Sequence, residues 1–275
     1  MKLFSALLLF CLLVTACQSN SGSPAAPSRP ANLPDYQWIF EPPAQPLTVT
    51  PAPDIPRKVE ALIPLKGGSL TATAADGTRY TLDIPADALT SETRISMTPL
   101  AGLSGLPFGS GEVYAVQLEP QGLFFNNFAT LTITPPQAIP PDQQILYAYQ
   151  NSDHELTLAE PVVNSAEVKL LIQHFSGYGV TKGLLADVEP VRQRLGGSAE
   201  ARLQSEMAYH LNRVRQQQLL GSANPDENLS ADFKDLFDRF KREVVQPRIA
   251  AAGESCAAGR LALQTALSFE RQKQL

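Results

Sequence analysis

Three histidines (His154, His174, His210) and three cysteines (Cys11, Cys17, Cys256) are the side chains with which this chain could bind a metal or activate a nucleophile. A zinc site draws ligands from nearby positions, such as histidines at i and i+4 or a Cys-x-x-Cys pair. Neither spacing occurs, so no metal is expected. There is no Gly-x-Ser-x-Gly elbow, P-loop or dinucleotide fingerprint, and hence no expected cofactor. The carboxylates are scattered and form no pair that glycoside hydrolysis would need. His210, beside Leu211 on a helix flank, reads as solvated. Tyr36, Trp38 and Phe40 alternate, which in an extended segment puts three aromatic rings on one face. Such a stripe could bind glycan or peptidoglycan; the favoured reading is that the segment docks on its own domain as an added strand.

The cysteines are ordered by the amino terminus. Met1-Lys2 precedes an apolar run from Leu3 to Val14, too short for the roughly 20 residues of a membrane span and built like an export signal. The run leads into Val14-Thr15-Ala16-Cys17, which resembles the bacterial lipobox. That resemblance implies a signal peptide over 1–16, cleavage before Cys17, and a diacylglycerol plus an N-acyl chain such as palmitate on that cysteine. Each buried CH₂ contributes about 0.8 kcal/mol, so two or more acyl chains hold a protein stably on a membrane. Gln18 rather than Asp after the cysteine implies sorting to the outer membrane of a two-membraned cell, with the protein facing the periplasm or the surface. Cys11 then leaves with the signal and Cys17 is acylated. Cys256 is the odd thiol, either buried and free or the site of an intermolecular disulfide.

Residues 17–57 are rich in Pro, Ser, Asn and Ala and read as a flexible tether. Residues 58–181 carry short period-two runs separated by Gly and Pro clusters. Leu70 and Ala72, the turn Asp76-Gly77, then Tyr80, Leu82 and Ile84 make a β-hairpin. Further runs centre on Ile95, Val116, Leu131, Tyr147 and Leu170. Short half-buried strands without intervening helices predict an antiparallel β-sandwich. Over 182–275 the period becomes helical, predicting a small bundle. Leu203, Met207, Leu211 and Val214 share one helix face. Phe233, Leu236, Phe237, Phe240 and Val244 share another, in a helix that Ser230 caps and Pro247 ends. A last helix runs from about Ser255 and carries a weak repeat of the first, Arg271-Gln272-Lys273-Gln274-Leu275 against Arg215-Gln216-Gln217-Gln218-Leu219; its pattern still runs at the final residue, as in a truncated form of a longer chain. Charge divides along the same line, with 7 Lys/Arg against 15 Asp/Glu in 17–181 and 14 against 12 in 182–275. No basic patch calls for nucleic acid.

Gly67-Gly68-Ser69-Leu70, Asp76-Gly77-Thr78, Leu82 to Leu89, Glu119 to Phe125 and His174-Phe175-Ser176-Gly177-Tyr178 resemble, in order and spacing, the ZU-five β-sandwich of ankyrins, zonula occludens proteins and netrin receptors. The resemblance implies a scaffold that mediates contacts between proteins, and a partner in the envelope. Some ZU-five relatives cleave themselves at a similar Phe-Ser bond. It therefore also implies a self-cleavage candidate, in which Ser176 Oγ attacks the Phe175 carbonyl and His174 takes the proton. The favoured reading is plainer: His174 and Ser176 satisfy backbone groups where the last strand ends, and Gly177-Tyr178-Gly179 turns the chain towards the helices. The expectation is thus a membrane-anchored, non-catalytic binding or assembly module.

Overall fold

The computed structural model describes residues 36–221 and 229–275. The expected signal peptide, Cys17 and the first part of the expected tether lie outside them. Among the described residues no helix is long and apolar enough to cross a membrane.

Among the described residues, eleven strands form two antiparallel sheets: β1 (Thr50–Pro53), β2 (Val59–Ile63), β3 (Gly68–Thr73), β4 (Arg79–Ile84), β5 (Thr93–Ser104), β6 (Val113–Glu119), β7 (Phe124–Thr134), β8 (Gln144–Tyr149), β9 (Leu156–Leu158), β10 (Val168–His174) and β11 (Gly177–Lys182). One sheet runs β1-β5-β6-β11-β8-β9, with β2 paired to the first part of the long β5; the other runs β10-β7-β4-β3. The β3–β4 hairpin has the expected register, Leu70 opposite Leu82 and Ala72 opposite Tyr80. Its turn is held by Asp76, which accepts from the Thr78 N–H and hydroxyl, both at 2.9 Å. Gly77 takes φ +89° there, a conformation costly for any side chain. The alternating residues of both sheets, among them Leu82, Leu131, Ile172, Met97, Val116 and Val180, meet in one apolar core. A chain with period-two runs buries one face of each strand in this way.

The first correction concerns β8. All six of its residues are buried, not every second one. Its outer face carries Ile145, Tyr147 and Tyr149 into a second core, made with Leu185, Val188, Leu195 and Ala208 of the helical segment. A second correction concerns Gly177-Tyr178-Gly179. These residues form no turn but open β11, a central strand between β6 and β8. Tyr149 stands opposite Gly177 and Tyr147 opposite Gly179, and their rings occupy the space a Cβ would need. Glycine is here to let two tyrosines lie across the strand.

Residues 36–57, assigned to the tether, pack instead. Thr50–Pro53 adds β1 to the sheet edge, and Val49 is buried. Tyr36–Phe40 is not a strand. Gln37–Phe40 makes one helical turn, α1, so the rings of Tyr36, Trp38 and Phe40 do not share a face. Tyr36 and Ile39 are buried in a third core with Leu203, Met207, Phe233 and Phe269.

The helical segment comprises a 3-10 stretch (Leu185–Arg194), α2 (Ala199–Leu219), α3 (Leu229–Phe240), a π-helical turn (Lys241–Val245), α4 (Gln246–Ala251) and α5 (Cys256–Gln272). Ser198 caps α2, its hydroxyl accepting from the Ala201 N–H at 3.1 Å, and Ser255 caps α5 in the same way at 3.0 Å. Ser230 lies within α3 rather than capping it. Pro247 does not end a helix. The π turn widens the chain just before it, and Pro247 then occupies the first turn of α4, where its missing N–H is no loss. The extra residue in that turn also moves the apolar face on by one, so Val245 rather than Val244 is buried.

Candidate functional site

His174 closes β10 in one sheet and Gly177 opens β11 in the other, so Phe175 and Ser176 alone carry the chain between sheets. Three backbone groups of this crossing are hydrogen-bonded to the β6–β7 region. The Phe175 N–H donates to the Leu123 carbonyl at 2.8 Å, its carbonyl accepts from the Gly122 N–H at 3.2 Å, and the Ser176 carbonyl accepts from the Leu118 N–H at 3.1 Å. Gly122, at φ +70°, turns the β6–β7 loop so that its N–H faces the crossing. The Phe175 ring meets Phe125 edge-on at 5.1 Å. The Tyr178 hydroxyl donates to the His174 carbonyl at 2.6 Å, a tyrosine corner tying a strand to the residue four before it.

The side chains make a chain of their own. Ser176 Oγ lies 3.3 Å from His174 Nδ1, and Ser176 is buried. Gln204 of α2 gives its amide N–H to Glu160 Oε2 at 3.3 Å and lines the same recess as His174. Gln272 of α5 donates to Glu160 Oε1 at 2.6 Å. Burial pushes the His174 pKa below its ordinary value, against the opposing pull of Gln204 and the Phe175 carbonyl, so the ring is neutral at pH 7. Burial likewise drives Glu160 up, to about 7, although both glutamines favour its charged form. A neutral imidazole has one N–H and one acceptor nitrogen, so the Ser176 hydroxyl and His174 Nδ1 share a hydrogen bond whose direction follows the tautomer.

Beside this crossing lies a cavity of about 350 Å³ between the sheets and the helices. Its walls come from Gly122 and Phe124, from Gln150 after β8, from His174, from the first turns of α2, and from α4 and α5. Arg248 of α4 and Glu200 of α2 form an ion pair within it. Thr265 of α5 completes the group, accepting from Arg248 at 2.7 Å and donating to Glu200 at 3.0 Å.

The remaining candidates are scattered. Tyr36 stacks on Phe233 at 6.3 Å, and Phe40 lies against Phe240 with the Arg239 guanidinium 3.9 Å from its ring centre. Trp38 is half-buried in the same helical core. The aromatic trio is thus engaged by its own helices. Cys256 is free and exposed, so the buried-thiol expectation does not hold. His210 is buried, not solvated: it faces the Phe233 ring edge at 5.0 Å and its Nε2 meets Glu206 Oε1 at 2.9 Å.

Sequence reasoning missed the polar face of α2. Arg202, Ser205, Asn212 and Arg215 are all buried. Ser205 Oγ accepts from the Leu158 N–H at 3.1 Å, and Asn212 donates to the Ala159 carbonyl at 3.3 Å. Arg215 donates to the Ser165 carbonyl at 2.8 Å and to Gln144 Oε1 at 2.6 Å. Arg202 holds the Ile39 carbonyl at 2.8 Å, tying α1 down. The edge strand β9 and the loop beyond it are therefore covered by helix side chains, one of the ways proteins protect an open sheet edge. The signal was present: these residues recur at helical spacing, as a stripe beside the apolar one.

No protein-family model matches this chain, and no curated protein matches it in sequence.

Proposed function

We propose that this chain is an envelope lipoprotein, held on a membrane by lipid on Cys17, whose two sheets and helices together form a non-catalytic binding module of ZU-five type. The lipobox and its export run support the anchor. One observation carries the binding role: the cavity of about 350 Å³, in which side chains from the sheets and from three helices converge. Recesses at such junctions, with a few placed polar groups, are the usual form of small-ligand sites. Fractionation checks the anchor, since Cys17→Ala should release the protein from membranes. Occupancy checks the role. With Cys256→Ser as background, a thiol placed by Ser268→Cys should react more slowly with maleimide in the intact envelope than in purified protein. Equal rates in the two settings would remove the binding role.

A second reading has its own support, the 3.3 Å approach of Ser176 Oγ to His174 Nδ1. Self-processing would run as follows. The Ser176 hydroxyl gives its proton to His174 while Oγ bonds to the Phe175 carbonyl carbon, and the Gly122 N–H steadies the oxygen as it becomes negative. The C–N bond breaks, the Ser176 nitrogen takes the proton back, and an ester remains. Water then splits the ester, leaving a carboxylate on Phe175 and a free hydroxyl and amine on Ser176. Two fragments on a denaturing gel, abolished by Ser176→Ala, would favour this reading over a purely structural corner. A single intact band leaves the corner to its tyrosine and its backbone bonds.

A further inference from the structure

We infer that the cavity beside His174 takes a neutral, polyhydroxylated ligand, a saccharide of one or two rings, through the amides of Gln150 and Gln264 and the ring of Phe124. This rests on reading that cavity as a binding site; the ligand class follows from what lines it.

The first observation is charge. The ionised groups on the wall are Arg248 and Glu200, and these neutralise each other through a shared bond to Thr265. A free anion or cation would have to break that pair. Burial also keeps His174 neutral. The second observation is hydrogen-bonding capacity. Ser198, Gln204 and Thr265 are already engaged in helix capping, the Glu160 relay and the ion pair. Among the described residues, the side chains of Gln150 and Gln264 have no hydrogen-bond partner, and both line the cavity. Each offers an acceptor and two donors, which match adjacent sugar hydroxyls that both give and take. The third is shape and surface. Phe124, with the Arg271 guanidinium 5.8 Å from its ring centre, and Leu261 supply the apolar area that the C–H face of a sugar ring requires. A volume of about 350 Å³ lies at the small end of ligand sites, which span roughly 300–1,000 Å³. The glycan candidate read from Tyr36, Trp38 and Phe40 thus moves to a different surface, one that offers two unengaged amides.

The test uses the mature lipoprotein in detergent, with cellobiose and N,N′-diacetylchitobiose as neutral probes and inorganic phosphate and triglycine as controls. Saturation-transfer NMR should show one or both disaccharides bound and neither control. Gln264→Leu and Ser268→Trp should each weaken that binding at least tenfold while melting temperature stays within about 2 °C. Ser268→Trp fills the cavity and Gln264→Leu removes one amide, so two unlike changes must agree. No disaccharide signal at millimolar concentration overturns the inference, as does phosphate or triglycine binding in its place, or binding unchanged by both substitutions. If maleimide protection in the envelope is seen while disaccharides fail, the saccharide class is wrong and the binding role stands.

Discussion

The core between the two sheets and the seam where α2 meets the outer sheet differ in what they bury, the seam adding polar side chains to its apolar ones. Between the sheets the core is mainly aliphatic, with Leu82, Leu118, Leu131, Ile172 and Val180 fully buried. Between the outer sheet and α2, Ser205, Asn212 and Arg215 are buried as well. The first interior is held by area removed from water, about 25 cal/mol per Å² of apolar surface. The second is held by bonds to backbone groups of β9 and its loop, each of which would be costly to leave unmade. An apolar core tolerates similar shapes; a polar seam fixes one register of helix on sheet.

The largest expected effect is Leu131→Ala, which opens a void in the apolar core and should cost about 3–5 kcal/mol, measured by chemical denaturation. Trp38, the single tryptophan, sits in the helical core and reports on that region, whereas far-ultraviolet dichroism follows the whole chain. Loss in the sheet core should shift both signals together. Arg215→Leu comes next. It strands the Ser165 carbonyl and Gln144 Oε1, and about 2–4 kcal/mol should be lost, with the tryptophan transition moving ahead of the dichroism. Coincident transitions would mean that seam and core are one cooperative unit.

Glu160 gives the seam a pH dependence that the apolar core lacks. Its folded-state pKa is raised to about 7 against an ordinary value near 4.5, so the folded state holds the proton more tightly than the unfolded. Stability must then fall as pH rises from about 4.5 to 7, and stay low above it. Glu160→Gln should flatten that slope and raise stability at pH 8 on the order of 2–3 kcal/mol, with little change at pH 4. Unchanged slopes in a thermal series would show that Glu160 titrates normally. Tyr178→Phe, removing the 2.6 Å bond to the His174 carbonyl, should cost about 1 kcal/mol. Cys256→Ser should change stability by less than about 0.5 kcal/mol, because the side chain is exposed. A disulfide-linked dimer of wild type on a non-reducing gel, lost in that variant, would supply the intermolecular pairing.

What could be read from the sequence follows the same division. Period-two runs announce strands with one wet face, so β3, β4, β5, β6, β7 and β10 were legible. The edge strands β1 and β9 were not: Thr50–Pro53 alternates proline through a strand, tolerable at an edge, and Leu156–Leu158 is three residues long. β11 was hidden because glycine normally means a turn. The clue lay in its partner, since Tyr147-x-Tyr149 and Gly177-x-Gly179 share the same period. Helix α2 was found by its apolar stripe, but its polar stripe looked like a solvent face. Polar residues at helical spacing carry the same pattern whether they meet water or a sheet edge. At the candidate site, His174 and Ser176 were legible as neighbours. Gln204, Glu160 and Gln272 were not, because only the docking of α2 and α5 brings them there.

The proposed tethering of one intact folded module to a membrane through Cys17 is tested most directly by the intact mass of the protein extracted from cell membranes. The expected species is a single chain beginning at Cys17 and carrying a diacylglycerol and an N-acyl group. An unmodified amino terminus, or recovery of the protein without lipid in the soluble fraction, would contradict the anchor; two masses meeting at Phe175 and Ser176 would contradict the intact module.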